Sequence, residues 1–480
     1  MTSLRENGWL IGGWIMAFLA TWLVRDHVFF WDTVQLGSKH AHWYYENDFH
    51  TLLLPEQFDS GHPPVFGMYL AVLWQWFGKS LPVSHFAMLP FLFGIIFFLW
   101  KIGAKLTNRK FAPFLLLLAF ADPVLAAQSL LASPDVALVC FFLMGVWGIF
   151  TRQNGWKVLA ALGLAMISMR GMMTVVVLFL FDWLAYRESK PLLQMKTIFQ
   201  KVLPYVPAGL FGLAFLIWHY RQTGWIGYHP DSPWTPSFER VDLPGFAKNI
   251  AVLGWRLLDF GRVFVWLVIG GTLLYLWRAK QVKKLWQNKQ MRRLVGLFLL
   301  ALLVLTPSLL LYKGLSAHRY LLPVFLSLTL IAFVLIFKHL QSKRIRLLAF
   351  GIAFIGLLTG NSWIYPDKIS QGWDSTLAHL PYYDLRAQML DYIESERIPL
   401  DAVGTAFPEI GALKYRDLSG RETGFAPKDL QRQSYILYSN VMNDYSDAEI
   451  DSLKQNWTLV QEFSQWGVRV ALYKNNFSTK

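Results

Sequence analysis

A small set of ionisable residues stands at the ends of apolar runs, in positions that suit proton transfer and phosphate binding. Asp32 lies within Phe29-Phe30-Trp31-Asp32-Thr33, where aromatic neighbours partly exclude water. A carboxylate there can accept a proton from an attacking hydroxyl, with low polarity tuning its pKa to that task. It could equally cap a helix that begins at Thr33. Asp135, in Ser133-Pro134-Asp135, can orient a substrate, although a proline and an acid are also an ordinary helix start. Arg170, in Met169-Arg170-Gly171, separates two apolar runs. A charge at membrane depth is costly and faces a cavity or a partner unless it snorkels to the surface. His62 and the turn that carries Lys313, His318, Arg319 and Tyr320 add groups that could bind a phosphate or diphosphate, arginine through its fork of donors. Each would also serve as a headgroup anchor.

The segment that carries Asp32 is unusual in itself. Residues 26–64 follow the first apolar run and hold Asp26, Asp32, Glu46, Asp48, Glu56 and Asp59 among Trp and Tyr. They end in Gly61-His62-Pro63-Pro64, which leads into another apolar segment. Connections are usually short, so an acidic, aromatic stretch of this length reads as one wall of a site at a membrane surface. Asp59 is its second candidate substrate contact.

What must position these groups is a membrane domain. The chain has 480 residues, of which 54% are hydrophobic and 16% charged, and apolar runs of spanning length recur. The first run lacks a small-residue cleavage site and reads as a retained helix. The expected spans are 8–25, 84–101, 111–127, 136–151, 157–170, 172–186, 202–219, 255–277, 294–312, 321–337 and 347–363, about eleven in all. Basic clusters follow alternate spans: Lys101 to Lys110, Arg152 and Lys157, Arg187 to Lys201, Arg278 to Arg293, and Lys338 to Arg346. The net charge of +14 is thereby read as positive-inside topology and not as a nucleic-acid footprint. The N-terminus is then cytoplasmic. The 26–83 loop, Asp135, Arg170, the 220–254 connection, the Lys313–Arg319 turn and the tail share the outer side. Residues 65–79 are expected as a juxtamembrane or re-entrant helix started by Pro63-Pro64, because a full span there would invert the charge rule.

Composition changes after about residue 364. The polar tail alternates helical patterning with strand-like runs such as Ser434 to Asn440 and Val468 to Tyr473, as in a small α/β domain. The expected division is thus a membrane domain over 1–363 and a soluble, exported domain over 364–480. The single cysteine, Cys140, permits no intrachain disulfide. No P-loop, HExxH or CxxC pattern occurs.

In this order, the residues resemble the GT-C superfamily of membrane glycosyltransferases. The likeness is to the branch with the protein O-mannosyltransferases and lipid A aminoarabinose transferases, glycosyltransferase family 39-like. It rests on FFWDT after the first span, SGHPPVFGMYLAVLWQWFG, SPDVAL, MRG and HRYLLPVF, and covers about residues 8–340. The chain departs from the pattern at Thr33, where many relatives have Glu, and at His62, where the aminoarabinose transferases have Lys. The resemblance implies a GT-C fold and a multi-pass protein of the bacterial cytoplasmic (inner) membrane. It implies a polyprenyl-phosphate-linked donor and transfer of a hexose or pentose to a lipid, glycan or protein acceptor on the outer face. By that reading Asp32 is the base of an inverting single displacement, and His62, Arg170, Lys313 and Arg319 are phosphate ligands. A divalent metal is possible but not required, because fixed cations can stabilise the leaving phosphate. No nucleic acid is expected as a partner. The rival readings are a transporter or flippase for a lipid-linked glycan, which also needs intramembrane cations, and a scaffold whose work lies in the tail.

Overall fold

The structure, a computed structural model, describes residues 2–187, 195–229 and 235–476. Lys190, part of one basic cluster, lies outside them. Apolar helices make up most of the chain. In order they are α1 Thr2–Val24, α2 His40–Glu46, α3 Val65–Phe77, α4 Leu81–Phe86, α5 Leu89–Leu106, α6 Ala112–Ala121, α7 Pro123–Ser129, α8 Pro134–Thr151, α9 Asn154–Ile167, α10 Met169–Arg187 and α11 Met195–Val202. There follow α12 Val206–Thr223, α13 Leu243–Leu258, α14 Arg262–Arg278, α15 Val282–Gln287, α16 Lys289–Leu305, α17 Pro307–Leu311, α18 Leu322–Val334 and α19 Lys343–Gly360. Each expected span overlaps one or more helices, although 157–170 crosses the break at Ser168 and 294–312 crosses the turn at Thr306. By length and apolarity, four of the described helices suffice to cross a membrane, or six if each of two bent pairs counts as one span.

Those bends correct two expectations. The span expected at 111–127 breaks by 82° between α6 and α7, and that at 255–277 breaks by 79° between α13 and α14. Pro123 cannot donate to the preceding turn, and the Asp122 carboxylate caps α7 by accepting from the Val124 N–H at 3.0 Å. At the second break Gly261 adopts φ +80°, and a Cβ there would lie 1.9 Å from the Gly356 carbonyl, so only glycine fits the close approach of α19. The 220–254 connection is likewise not all loop, because α13 begins at Leu243. The segment expected near the interface forms α3, 13 residues long and too short to span. It packs against α2, and Trp76 and Phe77 at its end are each 70% exposed.

The tail forms α20 Pro381–Ser395, α21 Lys414–Asp417, α22 Asp447–Asn456 and six strands: β1 Val403–Thr405, β2 Gly411–Ala412, β3 Gly424–Pro427, β4 Tyr435–Ser439, β5 Trp457–Gln465 and β6 Val468–Asn475. The strand order is β2-β3-β1-β4-β6-β5. β1 runs parallel to β3 and β4, and the β5–β6 hairpin is antiparallel to β4. β2 and β3 have no counterpart among the expected strands, being too short to show alternation. The core of this domain also takes in Phe30, Trp31 and Leu131 from the membrane domain. The Phe29 N–H donates to the Arg416 carbonyl at 2.9 Å. The residues beside Asp32 are therefore packed into the tail domain.

Candidate active site

Arg319 is the hub. It stands on the 3₁₀ turn that opens α18 and is 4% exposed. One terminal nitrogen donates to Asp32, the other to Asp374, and Nε lies 3.5 Å from Asp135. Asp135 also accepts from Arg170 at 2.6 Å. The Tyr320 ring lies beneath both cations, 3.7 Å from the Arg170 guanidinium and 4.9 Å from that of Arg319. Two guanidinium charges thus face three carboxylates, in an arrangement assembled from five separate stretches of chain.

Local sequence explains each position. Trp31 takes φ +58°, a left-handed conformation that is strained for a bulky residue. Its ring is fixed edge-on against Phe407 of the tail domain at 5.5 Å. Thr33 closes the turn, its hydroxyl bonded to both the N–H and the carbonyl of Phe30. Asp32 is thereby left to reach Arg319 and does no capping. Ser133, not Asp135, caps α8 through the Asp135 N–H at 3.2 Å. Arg170 opens α10 after a break at Ser168, whose hydroxyl accepts from the Gly171 N–H at 3.0 Å. A Cβ on Gly171 would lie 1.9 Å from the Leu164 carbonyl, which is why glycine follows the arginine.

A cavity of about 370 Å³ opens beside this hub. Asp32, Asp59, His62, Arg256, Arg319 and Tyr320 line one side of it, while Phe407, Asn443 and Asp444 of the tail domain line another. Asp32 is the one carboxylate of the three around Arg319 among the described lining residues. Its side chain is 28% exposed, against 10% for Asp135 and 2% for Asp374.

The other expected residues divide. Asp59 is fixed, accepting from His219 at 2.9 Å and from the Gly61 N–H at 2.8 Å. It pins the first loop to α12. His318 is fully buried and bonds Asp259 at 2.5 Å. Lys313 is exposed and paired with Glu239, away from the cavity lining. His62 needs correction as a cation. Burial, with Arg170 adding to it, holds its pKa down to about 4 against the pull of Asp32 and Asp59. It is neutral near pH 7. Nδ1 receives the Met169 N–H at 3.4 Å, which leaves the proton on Nε2.

Sequence reasoning missed Asp374 and Arg256. Asp374 enters from the connection between α19 and α20. Gln128 donates to its carbonyl at 2.8 Å, and burial raises its carboxyl above the usual range, with Arg319 opposing and Asp32 and Asp135 adding. The signal was a repeated tripeptide pattern, Trp31-Asp32-Thr33 and Trp373-Asp374-Ser375. Arg256 is the cavity cation least engaged by carboxylate: Nε donates to the Ser316 carbonyl at 3.2 Å, and its nearest acid, Asp259, lies at 3.5 Å.

An apolar, bent helical domain joined to a small α/β domain is the architecture expected of a GT-C fold. The chain is similar over nearly its whole length to a crystal structure of ArnT from Cupriavidus metallidurans bound to undecaprenyl phosphate. That likeness covers 98% of this chain and 99% of that one, with 11% identity and a TM-score of 0.54. The apo form of the same protein gives 12% identity, 98% of each chain and a TM-score of 0.51. No family model matches the chain, and no curated protein matches its sequence. The expected fold is thus the fold found.

Proposed function

We propose that the chain is a membrane glycosyltransferase that moves a sugar from a polyprenyl-phosphate donor to an acceptor hydroxyl by inverting single displacement. The observation that carries this reading is the placement of Asp32, open to a cavity whose walls also hold Arg256 and His62. Asp32 takes the acceptor proton. The freed oxygen attacks the anomeric carbon as its bond to the phosphate oxygen breaks. The proton rests on Asp32, and the polyprenyl phosphate leaves with the electron pair. Arg256 and the His62 Nε2–H meet the charge that grows on that phosphate. Arg319, tied to three carboxylates, serves chiefly to orient Asp32 and is poorly free to grip phosphate. The fold supports a lipid-phosphate donor, because it is shared with a protein crystallised with undecaprenyl phosphate.

The site faces the outer side of a bacterial inner membrane in this reading, with the tail domain outside. The acceptor is a lipid, glycan or protein, and the sugar a hexose or pentose. The test uses purified full-length protein and radiolabelled undecaprenyl-phosphate hexose or pentose. Release or transfer of label that depends on Asp32 supports the reading. Binding of the lipid with movement across vesicles, but no sugar release by any donor, would favour a flippase.

A further inference from the structure

Asp259 lies at the break between α13 and α14, 5% exposed, behind the cavity wall and absent from its described lining. Four donors converge on its carboxylate. His318 Nε2 reaches it at 2.5 Å and the Tyr365 hydroxyl at 2.6 Å. Arg262 lies 3.4 Å away on the other oxygen, and Arg256 at 3.5 Å. Arg262 in turn makes a two-pronged bond to Asp122 at 2.8 and 2.9 Å, with its guanidinium 3.6 Å from the Phe325 ring centre. Asp122 is the residue at the other helix break. The two broken helices are thus latched to each other at their bends.

The latch runs toward the site. His318 precedes Arg319 in the chain, so fixing its ring fixes the turn that presents the hub. Arg256 lies one helical turn before Asp259 and faces the cavity. Its contact with Asp259 is long, which leaves the guanidinium oriented with donors still able to bond a ligand oxygen. An ionisable group in an apolar segment is costly to keep, and none of Asp122, Asp259 and Arg262 is among the described lining residues; Asp259 reaches the cavity through His318 and Arg256.

We infer that Asp259 is a positioning residue for lipid-phosphate binding: it acts through Arg256, and its other donors, His318, Tyr365 and Arg262, hold it in place. This rests on the donor reading above, and it adds which buried group aims the cation. A residue that merely stabilised the fold would affect binding independently of Arg256. One that aims Arg256 has nothing left to aim once Arg256 is gone.

The experiment titrates undecaprenyl phosphate into purified full-length protein and follows intrinsic tryptophan fluorescence. It compares wild type, Arg256→Ala, Asp259→Asn and the double variant. Arg256→Ala should weaken binding about tenfold to a hundredfold, as expected for a charged hydrogen bond. Asp259→Asn should weaken it about threefold or more, and the double variant should match Arg256→Ala alone. Because Asp259→Asn could fail to fold, Tyr365→Phe is measured too. It removes one donor to Asp259 and should weaken binding about twofold or more, again only while Arg256 is present. Multiplying effects in the double variants, or wild-type affinity in both Asp259→Asn and Tyr365→Phe, would overturn the inference. So would undiminished binding by Arg256→Ala. Failure of the wild type to bind the lipid removes the donor reading itself, an outcome distinct from the others.

Discussion

Asp32 and Asp374 occupy the two terminal nitrogens of a single guanidinium, that of Arg319. One carboxylate comes from the first loop and the other from the connection into the tail domain, and both follow a tryptophan. They differ in access: Asp374 is sealed, while Asp32 opens onto the cavity. The same arginine thus anchors a buried acid and presents an accessible one. Chemistry is assigned to the accessible one.

Asp32→Asn keeps the size of the side chain and removes its basicity. Transfer should fall by about a hundredfold to ten-thousandfold, the usual loss of a general base. Undecaprenyl phosphate affinity should stay within about threefold, because Arg256 and His62 are untouched. A helix cap would tolerate the change, since Asn caps about as well as Asp. Near-normal turnover in a variant that binds the lipid and elutes as a stable species would reject Asp32 as the base.

Arg319→Ala would leave Asp32, Asp135 and Asp374 around an empty position, with Arg170 still paired with Asp135. Removing one partner from a buried ion pair costs about 3–5 kcal/mol. The variant should melt well below wild type in detergent. Arg319→Lys should recover only part of that, because an ammonium cannot offer a planar fork to acids on separate segments. Equal melting temperatures for wild type and Arg319→Ala would show that the hub does not hold the two domains.

Much of this arrangement was legible. Asp32, Asp135, Arg170, Arg319 and Tyr320 stood out as charges or aromatics at the ends of apolar runs, and the fold brings them together. Asp374 was hidden among the many acids of the tail, marked only by the echo of Trp31-Asp32-Thr33 in Trp373-Asp374-Ser375. The helix breaks were visible in principle. Asp122, Arg256, Asp259 and Arg262 all fall within or beside stretches read as continuous spans, and such charges seldom lie in lipid unpaired. A sliding apolar window averages over them. His62 as a cation failed for another reason: burial and a nearby arginine set its charge, and neither is readable from the residue type.

Acid should destabilise the first loop and its contacts. His40, His42, His62 and His379 all lie outside the spans, and burial is the largest cause holding each to a pKa of about 4. Their folded values are below the unfolded value of about 6.5. The folded state therefore binds fewer protons than the unfolded one between those limits. Stability is fully present above about pH 6.5 and is lost as pH falls toward 4, with a slope of up to about 1.4 kcal/mol per pH unit for each group. Melting temperature measured from pH 7.5 to 4 should show this decline. His62→Gln should make it shallower, and an unchanged slope would mean that His62 is already protonated in the folded protein.

The proposed orientation in the membrane rests on the basic clusters and on where charges gather along α9. α9 carries Lys157 in its first turn, and Arg170 lies just past its last. Its 14 residues rise about 21 Å. Lys157 is bonded to Asp182 at 2.6 Å, and Lys201 reaches the same carboxylate at 2.9 Å. This second buried cluster thus sits at the end of α9 remote from Arg319. It falls among the basic residues assigned to the cytoplasmic side, while Asp32, Asp135, Arg170 and Arg319 gather at the other end. Reporter fusions after Lys110, Arg152 and Arg293 should therefore read cytoplasm, and one after Lys480 should read exterior. The reversed pattern would put the cavity on the cytoplasmic face, and the proposed outer-face acceptor would have to be abandoned.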